Sequence, residues 1–217
     1  MAFLYQGLRK LSGQNLICPF YHAVTDYPPP HLKHLYHVKS VKSFKQDLAF
    51  FLKHYDPISL EDLFSYIKTP KKRKRPFFFL SFDDGLREIK EVVAPILYTQ
   101  GIPATFFINP AFVDNAGLMF RYKASLLKDI YLQHKPRFKE IVEGVYKKHA
   151  YDYADSEKAI VDLDFDQRKA LEELAEKMEI DFSAYLKTRK PYLNYDEIKA
   201  LSDKGFGIGG HGNDHPY

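Results

Sequence analysis

Hydrophobic and polar positions along this chain follow two rhythms. Short apolar runs bounded by Pro or Gly predict strands, and apolar residues spaced three and four apart predict helices. Asn15 to Val24 (NLICPFYHAV) is the first apolar run and predicts a strand carrying the polar pair Tyr21-His22 near its C-terminal end. Asp26 to Tyr36 contains three consecutive prolines with His31 and His34, and His37 lies just beyond. Without rigid helical or strand spacing, this stretch predicts a surface loop rather than a metal cluster. Ser43 with Gln46 reads as a capping box for a helix whose apolar face is Phe44, Leu48, Phe51 and Leu52. Ser59 opens a second helix through Leu63, Phe64 and Ile67. Pro76 to Phe82 is a buried strand by its run of phenylalanines, and it leads into Asp83-Asp84-Gly85. Ile89, Val92, Val93, Ile96 and Leu97 then take helical spacing, with Pro95 as a kink and Gly101 as the stop. Pro103 to Asn109 is the next strand. This alternation predicts a parallel α/β sheet or barrel.

From about Phe120 to Leu186 the strand rhythm is lost. Leu126, Leu127, Ile130 and Tyr131 form one helical face, and Phe138, Ile141, Val142 and Val145 another. Asp164 with Gln167 caps a helix carrying Leu171, Leu174, Ala175 and Met178. The stretch reads as a lid or packing unit without chemistry of its own. Asn194 with Glu197 caps a last helix, stopped by Gly205. Phe206 to Gly210 is then a glycine-rich strand that another group approaches closely, and it runs straight into His211.

Composition narrows the picture. A chain of 217 residues, 45% hydrophobic, allows one large domain or two small ones with a sizeable core. Cys18 is the only cysteine, so an intrachain disulfide is excluded, and its apolar neighbours predict a buried, inert thiol. Much of the net charge of +4 sits in Lys71-Lys72-Arg73-Lys74-Arg75. With no aromatic interleaving, that run reads as a solvated loop, and no nucleic-acid partner is expected. No stretch is long enough for a membrane span. The N-terminus lacks a signal-peptide pattern; Phe3, Leu4, Leu8 and Leu11 form a weak amphipathic face expected to pack on the domain. A cytoplasmic location is expected, with association to the inner membrane face as its variant.

Two polar clusters carry the candidate chemistry. Asp83 and Asp84 end a buried strand, where carboxylates need pairing, hydrogen bonds or a metal. Alone, they read equally as a helix cap by Asp84 or as a catalytic pair. His211 and His215, four apart, also end a predicted strand. Two histidines and a carboxylate form a common catalytic zinc set, and active sites of parallel α/β folds gather at C-terminal strand ends.

Ser81-Phe82-Asp83-Asp84-Gly85 resembles the first motif of the NodB-homology polysaccharide deacetylases, carbohydrate esterase family four, and His211 to His215 resembles the second. Tyr21-His22, Ala104 to Ile108 and Leu201 to Phe206 match the surroundings of those motifs. The resemblance implies a distorted (β/α) barrel, incomplete in this chain. It implies a single domain over 1–217 with a helical insertion over 115–190. It implies a divalent metal, zinc first, held by Asp84, His211 and His215, with Asp83 as general base. Tyr21, His22 and Asn109 are the expected substrate-binding residues. The implied reaction is hydrolysis of N-acetyl groups on a carbohydrate. A cyclic imide or ureide hydrolase and a catalytically incomplete glycan-binding protein are the alternatives. Gly212 replaces the family's Ser or Thr. The family's later arginine, groove aromatic and leaving-group histidine have no counterpart before Tyr217, which predicts an N-terminal part of a longer protein.

Overall fold

The computed structural model describes residues 15–70, 73–151 and 156–213. The N-terminal face of Phe3 to Leu11, Lys71, Lys72 and His215 lie outside them. Among the described residues, seven short strands are all parallel: β1 (Leu16–Ile17), β2 (Phe20–Tyr21), β3 (Asp56–Pro57), β4 (Phe77–Phe78), β5 (Ser81–Phe82), β6 (Thr105–Ile108) and β7 (Gly207–Gly210). They form one sheet of order β1-β4-β3 and another of order β2-β5-β6-β7. Crossovers by helix between parallel strands make this an α/β fold, part of a distorted barrel.

The expected strand over Asn15 to Val24 is two pieces in two sheets. Pro19 has no N–H to extend the ladder, yet its carbonyl accepts from Ser81 N–H at 3.2 Å, so β2 keeps the register of β1. The run from Pro76 to Phe82 divides in the same way, into β4 and β5. Cys18 lies at the break and is exposed, not buried as its apolar neighbours suggested. Burial at a strand junction depends on which edge is covered, and flanking residues do not encode that.

Helices fill the crossovers. α1 (Pro30–Lys33) interrupts the expected surface loop, and it buries His31 and Leu32. α2 (Val41–His54) begins one turn earlier than Ser43 suggested, because Ser40 is the cap and accepts from Ser43 N–H. α3 (Leu60–Lys68) is capped by Ser59, as its sequence implies. Ile89–Val93 is a wide π turn leading into α4 (Ala94–Thr99). Widening before Pro95 relieves the clash of its ring with the preceding turn. Gly101 ends α4 at φ +62°.

After β6 the chain runs through α5 (Phe120–Gln133), α6 (Lys135–Lys148), α7 (Ser156–Asp162), α8 (Arg168–Lys177) and α9 (Phe182–Arg189). Asp164 and Gln167 form a reciprocal capping box before α8. α10 (Tyr195–Asp203) carries the same device at Asn194 and Glu197, and it delivers the chain to β7. One apolar core underlies the sheets, with Phe78, Leu80, Phe82 and Phe106 fully buried. A second joins α5, α6 and α8 through Leu127, Tyr131, Val142, Tyr146, Leu171 and Leu174. Between the two cores, Leu32, Leu86, Phe112, Tyr122, Leu126 and Tyr192 form a seam. Each fully buried side chain of this size contributes roughly 1.5–3 kcal/mol.

Candidate active site

Four neighbouring parallel strands end in a polar residue. His22 follows β2, Asp83 follows β5, Asn109 follows β6 and His211 follows β7. The alternation of parallel strands fixes this, because every strand presents its C-terminal end to the same side.

Asp83 is half-buried, and its N–H extends the sheet by donating to Tyr21 O at 2.9 Å. Asp84 and Gly85 then turn the chain with φ +71° and +65°. Asp reaches this left-handed region more readily than most residues. Gly85 needs its lack of a side chain, because a Cβ there would lie 3.0 Å from Ile108 Cδ1. The tight turn sends Asp84 inward to 3% exposure. Its Oδ2 accepts a 2.6 Å hydrogen bond from the Tyr122 hydroxyl. Its Oδ1 is buried with no hydrogen-bond partner among the described residues, and His211 Nε2 stands 3.8 Å away. Asp84 is therefore no helix cap: its side chain is committed to α5, and helical backbone resumes only around Glu88.

His211 keeps the ladder of β7, since its N–H donates to Ile108 O at 2.9 Å. Its ring is about one-third exposed. Asn109 is 1% exposed, and neither its amide oxygen nor its amide nitrogen has a hydrogen-bond partner among the described residues. Buried polar groups left in that state call for a ligand or water. Tyr21 faces the sheet core, its ring stacked on Phe82 and its hydroxyl donating to Asp47 at 2.8 Å. Burial, and then that hydrogen bond, push its pKa up.

A cavity of about 370 Å³ opens beside Asp84, walled by His22, Tyr36, Met119, Arg121 and Tyr122. Arg121 is held at the rim by donating to Val161 O and Leu163 O at 3.0 and 3.1 Å. Tyr122 has no local sequence signal: on α5 it reads as one more core aromatic. Burial, and then the charge of Asp84, hold its pKa well above the ordinary tyrosine range, so it is a phenol donor.

The histidines of 31–37 do not converge. His31 Nδ1 meets the Tyr185 hydroxyl at 2.8 Å, while His34 Nε2 meets Asp129 Oδ1 at 2.8 Å. Among the described residues, no group of three or more His, Cys, Asp or Glu side chains is placed to hold a metal ion. Asp84 and His211 supply two suitable donors that face each other, and the orphaned Oδ1 between them suits a cation. Among the described residues, no helix is long and apolar enough to cross a membrane.

The family model for polysaccharide deacetylases matches residues 70–217. No curated protein sequence matches the chain. Among solved structures, the chain is similar to a de-N-acetylase from Aggregatibacter actinomycetemcomitans, with 21% identity and a TM-score of 0.38 over 46% of this chain and 39% of that one. It is similar to IcaB from Ammonifex degensii, with 18% identity and a TM-score of 0.42 over 55% of this chain and 49% of that one. The Streptococcus pyogenes deacetylase PplD, in complex with acetate, gives 16% identity and a TM-score of 0.41 over 67% of this chain and 78% of that one. The chain thus spans less than half the length of the first two of these proteins.

Proposed function

The chain belongs to the polysaccharide deacetylase family, and from that premise we propose that it hydrolyses N-acetyl groups on a carbohydrate at the strand ends around Asp83 and Asp84. The observation that carries this reading is the buried Asp84 Oδ1, without a hydrogen-bond partner among the described residues and 3.8 Å from His211 Nε2.

Asp84, His211 and His215 would hold a divalent cation, zinc by preference for two imidazoles and a carboxylate. When bound, such an ion lowers the pKa of water and polarises an amide carbonyl. Asp83, the residue before Asp84 and less buried than it, would take the proton of the attacking water. The C–N bond of the acetamide would break as its nitrogen takes up the proton that Asp83 holds, giving acetate and a free sugar amine and returning Asp83 to its carboxylate. The amide of Asn109, at the end of β6 and without a hydrogen-bond partner among the described residues, would hydrogen-bond the substrate, and His22 lines the cavity that would receive it. We read residues 115–190 as an insertion that forms one wall of this cavity, since Met119, Arg121 and Tyr122 come from it.

The test is acetate release from N-acetylglucosamine oligomers by the purified, zinc-loaded protein. Acetate is expected, together with its loss in Asp83→Asn while zinc content stays at wild-type level. Turnover unchanged in Asp83→Asn would show that the two carboxylates have been given the wrong roles. Absence of zinc binding in the wild type would remove the reading. Helical walling of the cavity favours a second reading, a compact cyclic imide as substrate, and the same assay with such an imide separates the two.

A further inference from the structure

We propose that Tyr122 is a positioning residue for Asp84, so that the helical segment after β6 is part of the cation site and not only its wall. This rests on the metal-site reading above.

A lone aspartate can present either oxygen by turning about its terminal torsion, which is broad and nearly two-fold. Here the Tyr122 hydroxyl takes Oδ2 at 2.6 Å, leaving only Oδ1 to face His211. A phenol donating to a carboxylate at this distance is a charge-assisted hydrogen bond, about twice as strong as a neutral one. Tyr122 is 1% exposed, so water does not compete for the bond.

The donor is itself held. The Tyr192 ring lies nearly parallel to that of Tyr122, with centroids 6.0 Å apart and planes at 20°. His31 packs on Tyr122 with centroids 5.4 Å apart. Tyr192 is anchored at both ends: its hydroxyl accepts from Met119 N–H at 3.0 Å, and its own N–H donates to Asn115 Oδ1 at 3.0 Å. The next residue, Leu193, donates its N–H to Gly85 O at 2.9 Å. One short strap therefore fixes both the aromatic ring that backs Tyr122 and the turn that carries Asp84. Loss of a group that orients a ligating side chain typically costs about 10- to 100-fold in metal affinity.

Zinc titration of the metal-free protein by calorimetry tests this. Tyr122→Phe keeps the ring and removes the hydroxyl, and zinc affinity is expected to fall about 10- to 100-fold. Tyr131→Phe removes a fully buried hydroxyl from the same helix, remote from Asp84, and is expected to stay within about 2-fold of wild type. A Tyr122→Phe affinity within the same margin of a zinc-binding wild type overturns the inference while leaving the metal site standing. A wild type that binds no zinc overturns both. In case Tyr122→Phe does not fold, fluorotyrosine-labelled wild type supplies a second measurement: the Tyr122 fluorine resonance is expected to shift on zinc addition, and a resonance indifferent to zinc overturns the inference.

Discussion

Gly209 lies directly against the ring of Phe107, its register partner on β6: a Cβ on Gly209 would come within 2.7 Å of two ring carbons. Phe107 cannot simply swing away, because its ring also packs against the cluster of Ile58, Leu63 and Phe79. β7 must therefore move if Gly209 gains a side chain, and His211 moves with it two residues later. Gly209→Ala is expected to cost about 1–3 kcal/mol, read by urea denaturation. Gly210→Ala, where a Cβ meets nothing within 4 Å, is expected to cost less than about 1 kcal/mol. Equal losses in the two variants would show that close packing against Phe107 does not govern the strand.

The same strand shows what could be read ahead of the structure. A glycine-rich apolar run announced a strand under close approach, and β7 is one. The caps at Ser59, at Asp164 with Gln167 and at Asn194 with Glu197 were legible because each is a local exchange over three residues. Ser40 and Ser43, two serines one turn apart that hydrogen-bond each other, carry the same local signal, and the folded chain takes Ser40 as the cap. Longer-range facts were illegible. Burial of His31 depends on helices whose sequence lies about a hundred residues away, and Pro-rich composition argues the opposite. The proximity of Asp84 and His211 followed from strand-end positions, whereas Tyr122 carries no mark that separates it from core aromatics. His215 lies outside the described residues.

Part of the basic run has structural work that charge counting conceals. Arg73 and Arg75 each bond Asp56 on β3 at 2.9 Å. Arg75 also donates to Leu52 O and Tyr55 O at 2.6 and 2.7 Å, covering carbonyls left open at the C-terminal end of α2. Bonds from charged donors to such carbonyls outweigh an exposed ion pair, which alone contributes little. Arg75→Ala is expected to destabilise by about 1 kcal/mol and Lys74→Ala by less than about 0.5 kcal/mol, both read by urea denaturation. Equal effects would return the whole run to the role of a solvated loop.

His31 makes stability depend on pH in a direction that its burial determines. The residue is 2% exposed, with Tyr185 on Nδ1 and Nε2 without a partner among the described residues. Burial, and then the positive charge of Arg189, lower its pKa from 6.5 to about 3. The unfolded chain therefore binds a proton near pH 6.5 that the folded chain refuses until about pH 3. Stability from this residue is complete above the unfolded value and falls as pH drops toward the folded one. Between pH 7.5 and 5.0 the loss is expected to reach about 2 kcal/mol. The other titrating groups contribute their own slopes, so the informative quantity is the difference between wild type and His31→Gln. That variant is expected to be less stable at pH 7.5, because it disturbs the packing on Tyr122 and Tyr185, yet to lose distinctly less on acidification. Parallel stability curves for the two proteins, from urea melts at both pH values, would show that His31 accepts its proton in the folded state and that the site around it is wetter than its burial implies.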